Sequence, residues 1–263
     1  MHRLEYDEVH DEIVVPQPIS QAVLTFRGGA EGNEAPIRVI QGPLTQLMYP
    51  EKLTIDTVNN EIFVPTYGGN AILVFSRLAN GNTAPIRVLK GMRPTGAGRH
   101  LAVDPVHNLL FVQGKPASAS DEESAVFGPS GPGRGQSTGE DGERGVLIFE
   151  RTAQGDAKPL GFLDSEGGHI YVDPARNQVL AVGAAGTGAD RGFYVSVWNV
   201  NERGGPGFSP KRWLLKGPEG MLHPMSAMGS WVDPKNKAVY IGHKPYNAVM
   251  TFSFPEIFGG ESK

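Results

Sequence analysis

The chain has 263 residues, a formal net charge of −4 at pH 7 and no cysteine. The lack of cysteine excludes disulfides, thiolate nucleophiles and cysteine-based zinc or iron–sulfur sites. The weakly acidic balance argues against nucleic acid as a partner, since nucleic-acid binding needs a basic face. Because no stretch of about 18 apolar residues occurs, the sequence predicts no membrane-spanning helix.

The first residues, MHRLEYDEVHDEI, do not form a signal peptide, because no apolar segment follows the charged ones. They are typical of the first strand and turn of a repeat. We therefore expect an export signal to lie upstream of this start, and the full protein to be secreted or periplasmic in a bacterium.

A turn signature recurs five times along the chain. In each copy an apolar run leads into an Asp, and an Asn or Asp then precedes a second apolar run rich in β-branched residues. The five leading residues are Asp7, Asp56, Asp104, Asp173 and Asp233. An Asp side chain that accepts backbone N–H bonds is typical of such turns, and the apolar runs favour strands. Each copy therefore predicts two antiparallel strands, with a structural role for its Asp.

Two further strands complete each unit. Residues 22–42 and 71–91 match at 12 of 21 positions with a constant offset, which indicates a repeat architecture. Third strands are predicted at residues 22–26, 71–75, 145–149, 195–199 and 248–252. Fourth strands are predicted at residues 37–40, 86–89, 159–163 and 211–215. Trp198, Trp213 and Trp231 fall within strands, so we expect them to pack between units.

Several four-stranded antiparallel units with almost no helix signal predict an all-β propeller of five blades. The fifth unit ends after its third strand, so either the last blade is incomplete or the chain is a fragment of a six-bladed propeller. Residues 1–263 form one domain. Residues 115–144, within the third unit, are rich in Gly, Ser and acids and predict a flexible surface insert.

The pattern VFxRxAxGNxAPIRVLxG, followed by VDPxxNxxFV, resembles the NHL-type repeat and its relatives in bacterial six-bladed propellers. The resemblance covers nearly the whole chain outside the insert. It implies the blade fold but no single activity, because propellers of this shape include sugar-lactone hydrolases, lyases, sensor domains and protein-binding modules.

Propeller geometry brings the loops that enter the first strands to one face, where ligands of propellers usually sit. His100 and His169 stand four residues before Asp104 and Asp173, at equivalent entry positions. The candidate metal ligands on this face are Glu51, His100, His169 and His223. Imidazole and carboxylate groups suit one divalent metal ion with open positions, and its bound water would be a nucleophile near neutral pH.

Other side chains predicted for the same face are Tyr49, Lys52, Tyr67, Arg99 and His243. Two functions follow. The first is a monomeric, non-enzymatic binding or scaffold module that offers this face to a protein or glycan partner. The second is a metal-dependent, lactonase-like hydrolase with its site at the mouth of the central channel. Only the second requires a tightly bound divalent ion.

Overall fold

The computed structural model describes residues 4–66, 71–92, 100–114, 145–163, 168–185, 192–205, 208–215, 227–243 and 247–258. Within these ranges, nineteen strands form five separate antiparallel sheets, accompanied by two 3-10 turns and one helix of four residues. The predicted insert at residues 115–144 lies outside the described residues. No helix in the described part is long and apolar enough to cross a membrane. The chain is a five-bladed β-propeller, as the sequence predicted.

The strands follow one another in chain order from the inside to the outside of each blade. Blade 1 contains β1 (Glu5–Asp7), β2 (Glu12–Gln17), β3 (Ala22–Arg27) and β4 (Arg38–Gln41). Blade 2 contains β5 (Thr54–Asp56), β6 (Glu61–Pro65), β7 (Ile72–Ser76) and β8 (Arg87–Leu89). Blade 3 contains β9 (Leu101–Asp104), β10 (Leu109–Gln113), β11 (Val146–Glu150) and β12 (Gly161–Leu163).

Blade 4 contains β13 (His169–Asp173), β14 (Gln178–Ala185), β15 (Gly192–Asn199) and β16 (Lys211–Leu214). Blade 5 contains β17 (Ala227–Asp233), β18 (Ala238–His243) and β19 (Ala248–Ser253), followed by the helix α1 (Pro255–Phe258). In each sheet the strands pair with their chain neighbours, and the fifth sheet has three strands among the described residues. The predicted third and fourth strands are confirmed, with bounds that differ by one to three residues.

The Asp turns form between the first and second strands, and the predicted bonds from backbone N–H groups to the Asp side chain occur in blades 1, 2, 3 and 5. In blade 4 the turn is a short 3-10 helix, Pro174–Arg176, and the side chain of Asp173 makes no such cap bond within these described residues. The Oδ1 atom of Asp56 accepts the backbone N–H groups of Val58 at 3.0 Å and Asn59 at 2.8 Å, and Asp104 accepts from Val106 and His107 in the same way. The residue three positions after the Asp also bonds its Oδ2 atom in every blade. These partners are His10, Asn59, His107, Arg176 and Asn236. The Asp carboxylates are therefore used within the turns.

Apolar side chains join each blade to the next, and we call these four interfaces joints. Val23 and Ile62 belong to the cluster between blades 1 and 2, and Ile72 and Phe149 to that between blades 2 and 3. Two further clusters join blade 3 to blade 4 and blade 4 to blade 5. None of the clusters formed by the described residues joins blade 5 to blade 1.

Charged side chains also link the blades at the first two joints. Glu12 of blade 1 contacts Arg38 of its own blade and, at 2.7 Å, Arg77 of blade 2. One joint later, Glu61 pairs with Arg87 at 2.7 Å and with Arg151 of blade 3 at 2.6 Å. We call each Arg–Glu–Arg group a clasp.

Both Glu side chains are 10% exposed, so the clasps lie mostly out of water. Leu109 and Gln178 occupy the corresponding place of Glu12 and Glu61 in blades 3 and 4. The third and fourth joints therefore have no such Glu, and they rely more on apolar packing.

Trp231 corrects one of the sequence predictions. Trp198 is buried between blades 3 and 4, and Trp213 packs against the cluster between blades 4 and 5, as expected. Trp231 is instead 51% exposed. Its ring meets the ring of Tyr171 of blade 4 edge to face, with the centroids 6.1 Å apart, so it contacts the neighbouring blade without being buried there.

Candidate functional site

The first strands of all blades begin at one end of the propeller, which we call the upper end. The Asp turns lie at the opposite, lower end, because each first strand runs from the upper end to its Asp. The upper end therefore carries the loops that enter the first strands and the turns between second and third strands. These segments hold the side chains that the sequence suggests for a functional site.

His100 and His169 lie together at the upper end. His100 directly precedes β9, and His169 is the first residue of β13. Their ring centroids are 4.0 Å apart and the ring planes are tilted by 38°. The contact follows from the repeat, since the two residues occupy the same position in neighbouring blades. In blade 5 this position is Gly229, which lies beside the ring, since an added Cβ would be in van der Waals contact with Cε1 of His169 at 3.8 Å.

Backbone contacts fix both imidazole-bearing residues. The N–H of His100 donates to Oε1 of Gln113 at 3.1 Å, and the N–H of Gln113 donates to the carbonyl of His100 at 2.8 Å. The Nδ1 atom of His169 lies 3.1 Å from the N–H of Ser230 and 3.3 Å from its carbonyl oxygen. The hydroxyl of Tyr171 donates to the same carbonyl. Ser230 thus ties the upper end of blade 4 to blade 5.

The position of Ser230 allows either neutral tautomer of His169. A ring protonated on Nε2 accepts the Ser230 N–H at Nδ1, whereas a ring protonated on Nδ1 donates to the Ser230 carbonyl. The second tautomer leaves the Nε2 lone pair available, and a metal-bound histidine usually donates its other N–H to such a carbonyl. The second tautomer of His169 would therefore fit a metal ligand.

The other candidate ligands are not all brought to this place. Glu51 is half-buried in the loop before β5, and His223 lies outside the described residues. Among the side chains that the structure describes, no three His, Asp or Glu residues group closely enough to hold a metal ion. The role of Glu51, His100, His169 and His223 as metal ligands stays a prediction.

The predicted binding-face residues differ in their exposure. Tyr49 is 42% exposed at the upper end, whereas Lys52 is buried with 7% of its surface accessible. Tyr67 and Arg99 lie outside the described residues, and for His243, the last residue of β18, only the backbone is described. Of the two residues of this set whose side chains the structure describes, Tyr49 is the one presented to solvent.

A groove of about 560 Å³ runs along the upper end of blade 1. It lies between the turn after β2 and the loop after β4, and it has no charged side chain among its lining residues. These are Ser20, Gln21, Gln41, Gly42, Pro43, Gln46 and Leu47. Gln41 donates through Nε2 to the carbonyl of Ser20 at 2.8 Å, which connects the two walls. Side-chain amides both donate and accept hydrogen bonds, so the groove suits a neutral polar ligand.

The loop that forms one wall of this groove also exposes apolar side chains. Leu44 is 58% exposed, Met48 is 50% exposed and Tyr49 is 42% exposed. Leu44 and Met48 were not among the predicted site residues, because those were chosen mainly for ionisable or aromatic groups. They could have been found from the large apolar residues between Gly42 and Pro50, because the Gly and Pro residues of this segment indicate a surface loop.

Comparison with known proteins adds the fold but no family. No family model matches the chain, and the search of curated proteins gave no match. Among solved structures, Kuenenia stuttgartiensis hydrazine synthase matches with a TM-score of 0.58 and 13% identity, over 97% of this chain and 65% of that one. The present chain thus spans about two thirds of that structure.

A structure described as a nidogen/laminin complex matches with a TM-score of 0.49 and 14% identity, over 96% of this chain and 80% of that one. At 13% identity the match to hydrazine synthase indicates a shared fold alone, since one fold hosts many unrelated functions.

Proposed function

We propose that the protein is a binding or scaffold module of the propeller class, with NHL-type repeats, that presents its upper end to a protein or glycan partner. One observation carries the proposal, namely the neutral groove on blade 1 beside the exposed Leu44, Met48 and Tyr49. Met and aromatic residues are enriched at protein interfaces, and aromatic rings combine apolar area with a polar group that can bond a partner. Neutral amides next to such a ring suit glycan hydroxyls or peptide groups.

The test uses the purified chain with upper-end and lower-end variants. The upper-end variant carries Leu44→Ser, Met48→Ser and Tyr49→Ser. The lower-end control carries Val9→Ser, Val58→Ser and Val106→Ser, whose parent side chains are 66%, 68% and 68% exposed. A glycan array and chemical crosslinking in cell extract identify the ligand, and calorimetry then measures its affinity. We expect the upper-end variant to bind at least tenfold more weakly and the control to bind normally. Equal binding by both variants would overturn the proposal.

A second candidate, a metal-dependent hydrolase of the lactonase type, is favoured by the contact between His100 and His169. Two adjacent imidazoles and a carbonyl partner for His169 supply part of a zinc-type site. Metal analysis of the wild type beside a His100→Ala/His169→Ala variant tests it, together with a lactone and ester screen. The hydrolase candidate requires about one equivalent of metal and measurable hydrolysis in the wild type, both lost in the variant. Absence of metal after loading with zinc, manganese or calcium would reject it.

A further inference from the structure

The third strand of blade 5 differs from its counterparts in the other blades. The pairing of Ile62 with Phe75 and of Val239 with Phe252 aligns Val249 with Ile72. The residues at this position in blades 1 to 4 are Val23, Ile72, Val146 and Val195, and each is 0% exposed. Val249 is 70% exposed. The difference is large, although all five residues are β-branched and aliphatic.

A fourth strand covers the outer edge of the third strand in blades 1 to 4, but in blade 5 the described residues contain no such strand. The edge of β19 is six residues long, and its sequence AVMTFS contains no charge and no proline. Natural proteins usually protect an exposed edge with charged residues, proline or a bulge, because its unpaired backbone groups readily accept another strand. β19 has neither charged residues nor proline, so its edge is suited to pairing.

The hydrogen bonds of blades 1 and 2 identify the backbone groups that are available on β19. The carbonyl oxygens of Thr25 and Val74 accept the first N–H of their fourth strands, from Ile37 and Ile86, at 2.8 Å each. Thr251 aligns with Thr25 and Val74, so its carbonyl and N–H face the outer edge. Strand alternation gives Val249 and Ser253 the same orientation.

We propose that the outer edge of β19 binds one extended strand of another polypeptide, which completes blade 5 by main-chain hydrogen bonds. Addition of a strand to an exposed sheet edge is an established mode of peptide recognition. This edge site is separate from the upper-end groove and does not depend on the proposed function.

The existing fourth strands define the chemistry of the partner strand. Opposite the position of Val249 they always place a large apolar side chain, and these residues are Ile40, Leu89, Leu163 and Trp213. Opposite the position of Thr251, blades 1 and 2 place Arg38 and Arg87. Both of these arginines bond a Glu at the start of the second strand.

Blade 5 has Ala238 where blades 1 and 2 have Glu12 and Glu61. It therefore offers no carboxylate to an arginine of the partner strand. We infer a neutral residue opposite Thr251, as Gly161 is opposite Ile148 in blade 3, and a large apolar residue opposite Val249.

The test measures binding of labelled peptides to the full 263-residue chain by fluorescence anisotropy. The first peptide copies residues 157–163, AKPLGFL, which include β12. The second has its last Leu replaced by Ser, and the third copies residues 83–91, TAPIRVLKG, which include β8. We expect saturable binding of the first peptide, with at least tenfold weaker binding of the second and weaker binding of the third.

One substitution blocks the edge without altering side-chain packing inside the blade, and a second one is its control. Thr251→Pro removes an N–H that faces outward, and an edge position tolerates proline for that reason; Thr251→Val retains the N–H as the matched control. We expect Thr251→Pro to bind the first peptide at least tenfold more weakly and Thr251→Val to bind it normally. Should Thr251→Pro fail to fold, a peptide with N-methyl groups on its pairing amides tests the same bonds on the wild type.

Three outcomes would overturn the proposal. The first is no saturable binding of any peptide, and the second is equal binding by Thr251→Pro and Thr251→Val, or by the N-methylated peptide. The third is a concentration-dependent dimer of the wild type in sedimentation that Thr251→Pro abolishes, which would assign the edge to a second copy of this chain.

Discussion

Blade 2 and blade 1 contain similar strand sequences but differ in how they are buried. All five residues of β6 are buried, whereas β2 alternates between buried and half-buried residues. Val64 of β6 is 0% exposed, while Val15, at the equivalent position of β2, is half-buried. Blade 2 packs between two neighbours, and blade 1 packs against blade 2 alone among the described residues. A strand becomes fully buried here only when its blade has a neighbour on both sides.

Blade 5, like blade 1, is buried on one side only among the described residues, and this is the side that faces blade 4. Its residues Val239 and Ile241 are 0% exposed in the joint with blade 4, whereas Val249 on the other side is 70% exposed. The terminal blades therefore bury one face each. Since hydrophobic stabilisation is roughly proportional to the apolar area removed from water, we expect inner and terminal blades to respond differently to the same substitution.

The largest expected difference concerns the middle of the second strand. Phe111 is 0% exposed in blade 3, and Tyr240 occupies the corresponding, half-buried position in blade 5. Phe111→Ala should lower the free energy of unfolding by about 3–5 kcal/mol, because it leaves a cavity in a packed joint. Tyr240→Ala should lower it by about 1 kcal/mol. Urea unfolding followed by circular dichroism measures both, and equal losses would contradict the distinction between inner and terminal blades.

Removing the carboxylate of a clasp should have a comparable effect, which compensating substitutions should partly reverse. Glu61→Leu leaves Arg87 and Arg151 without their shared carboxylate, which should cost about 3–5 kcal/mol. Adding Arg87→Gly and Arg151→Val copies the residues of the next joint, Leu109, Gly161 and Val200. The triple variant should recover at least half of the loss, since apolar packing can replace a buried ion pair. A triple variant as unstable as Glu61→Leu in urea unfolding would show that the clasp cannot be exchanged for apolar packing.

The Gly-containing loops between third and fourth strands also differ between blades 1 and 2. Gly81 (φ 75°) bonds the outer strand of blade 1, donating to Val39 at 2.6 Å and accepting from Gln41 at 3.1 Å. Gly32 (φ 59°) holds the same place in blade 1, and no bridge to another blade forms from it in the described part of the chain. An Ala at positive φ costs about 1–2 kcal/mol, unless the loop can relax.

Gly81→Ala should therefore lower the thermal unfolding midpoint more than Gly32→Ala does. Calorimetry of the two variants provides the measurement. A larger effect at Gly32 would mean that its loop is held by a contact equivalent to that of Gly81.

The smallest expected effect is a pH dependence in the terminal turn of blade 5. The backbone N–H of Asn236 holds the pKa of Asp233 below its ordinary value, with a further contribution from the Asn236 side-chain amide. A depressed folded-state pKa gives stability that is present above the unfolded value and is lost as the pH falls through the folded value. Asn236→Ala should raise the pKa of Asp233 towards its ordinary value and weaken this acid dependence. NMR titration of the Asp233 carboxyl carbon measures it, and an unchanged pKa would exclude the side-chain bond as a cause.

The repeat made the fold predictable, because each Asp turn and each Gly-containing loop recurs with its strands. The contact between His100 and His169 could also be expected, since both residues stand four positions before a turn Asp. The clasps could not be derived in the same way. Arg77 and Arg151 have no arginine counterpart in blade 1, where Gly28 takes the place, so only the packing of successive blades reveals that they reach Glu12 and Glu61.

Which side chains of the terminal blades are exposed could not be derived from the sequence either. Trp231 was expected to pack between blades because it falls within a strand, as Trp198 and Trp213 do, yet local sequence does not specify how far the next blade covers it. The groove beside Tyr49 depends in turn on two segments, the turn after β2 and the loop after β4, that approach only in the folded blade.

Hydrogen exchange read by mass spectrometry distinguishes a third strand whose outer edge is paired, as in blade 2, from one whose outer edge is open, as in blade 5. The relevant amides are those of the third strands, β7 in blade 2 and β19 in blade 5. Slow exchange is expected throughout β7, and fast exchange is expected at Val249, Thr251 and Ser253, whose N–H groups face the outer edge. Protection of β19 equal to that of β7 would contradict this expectation.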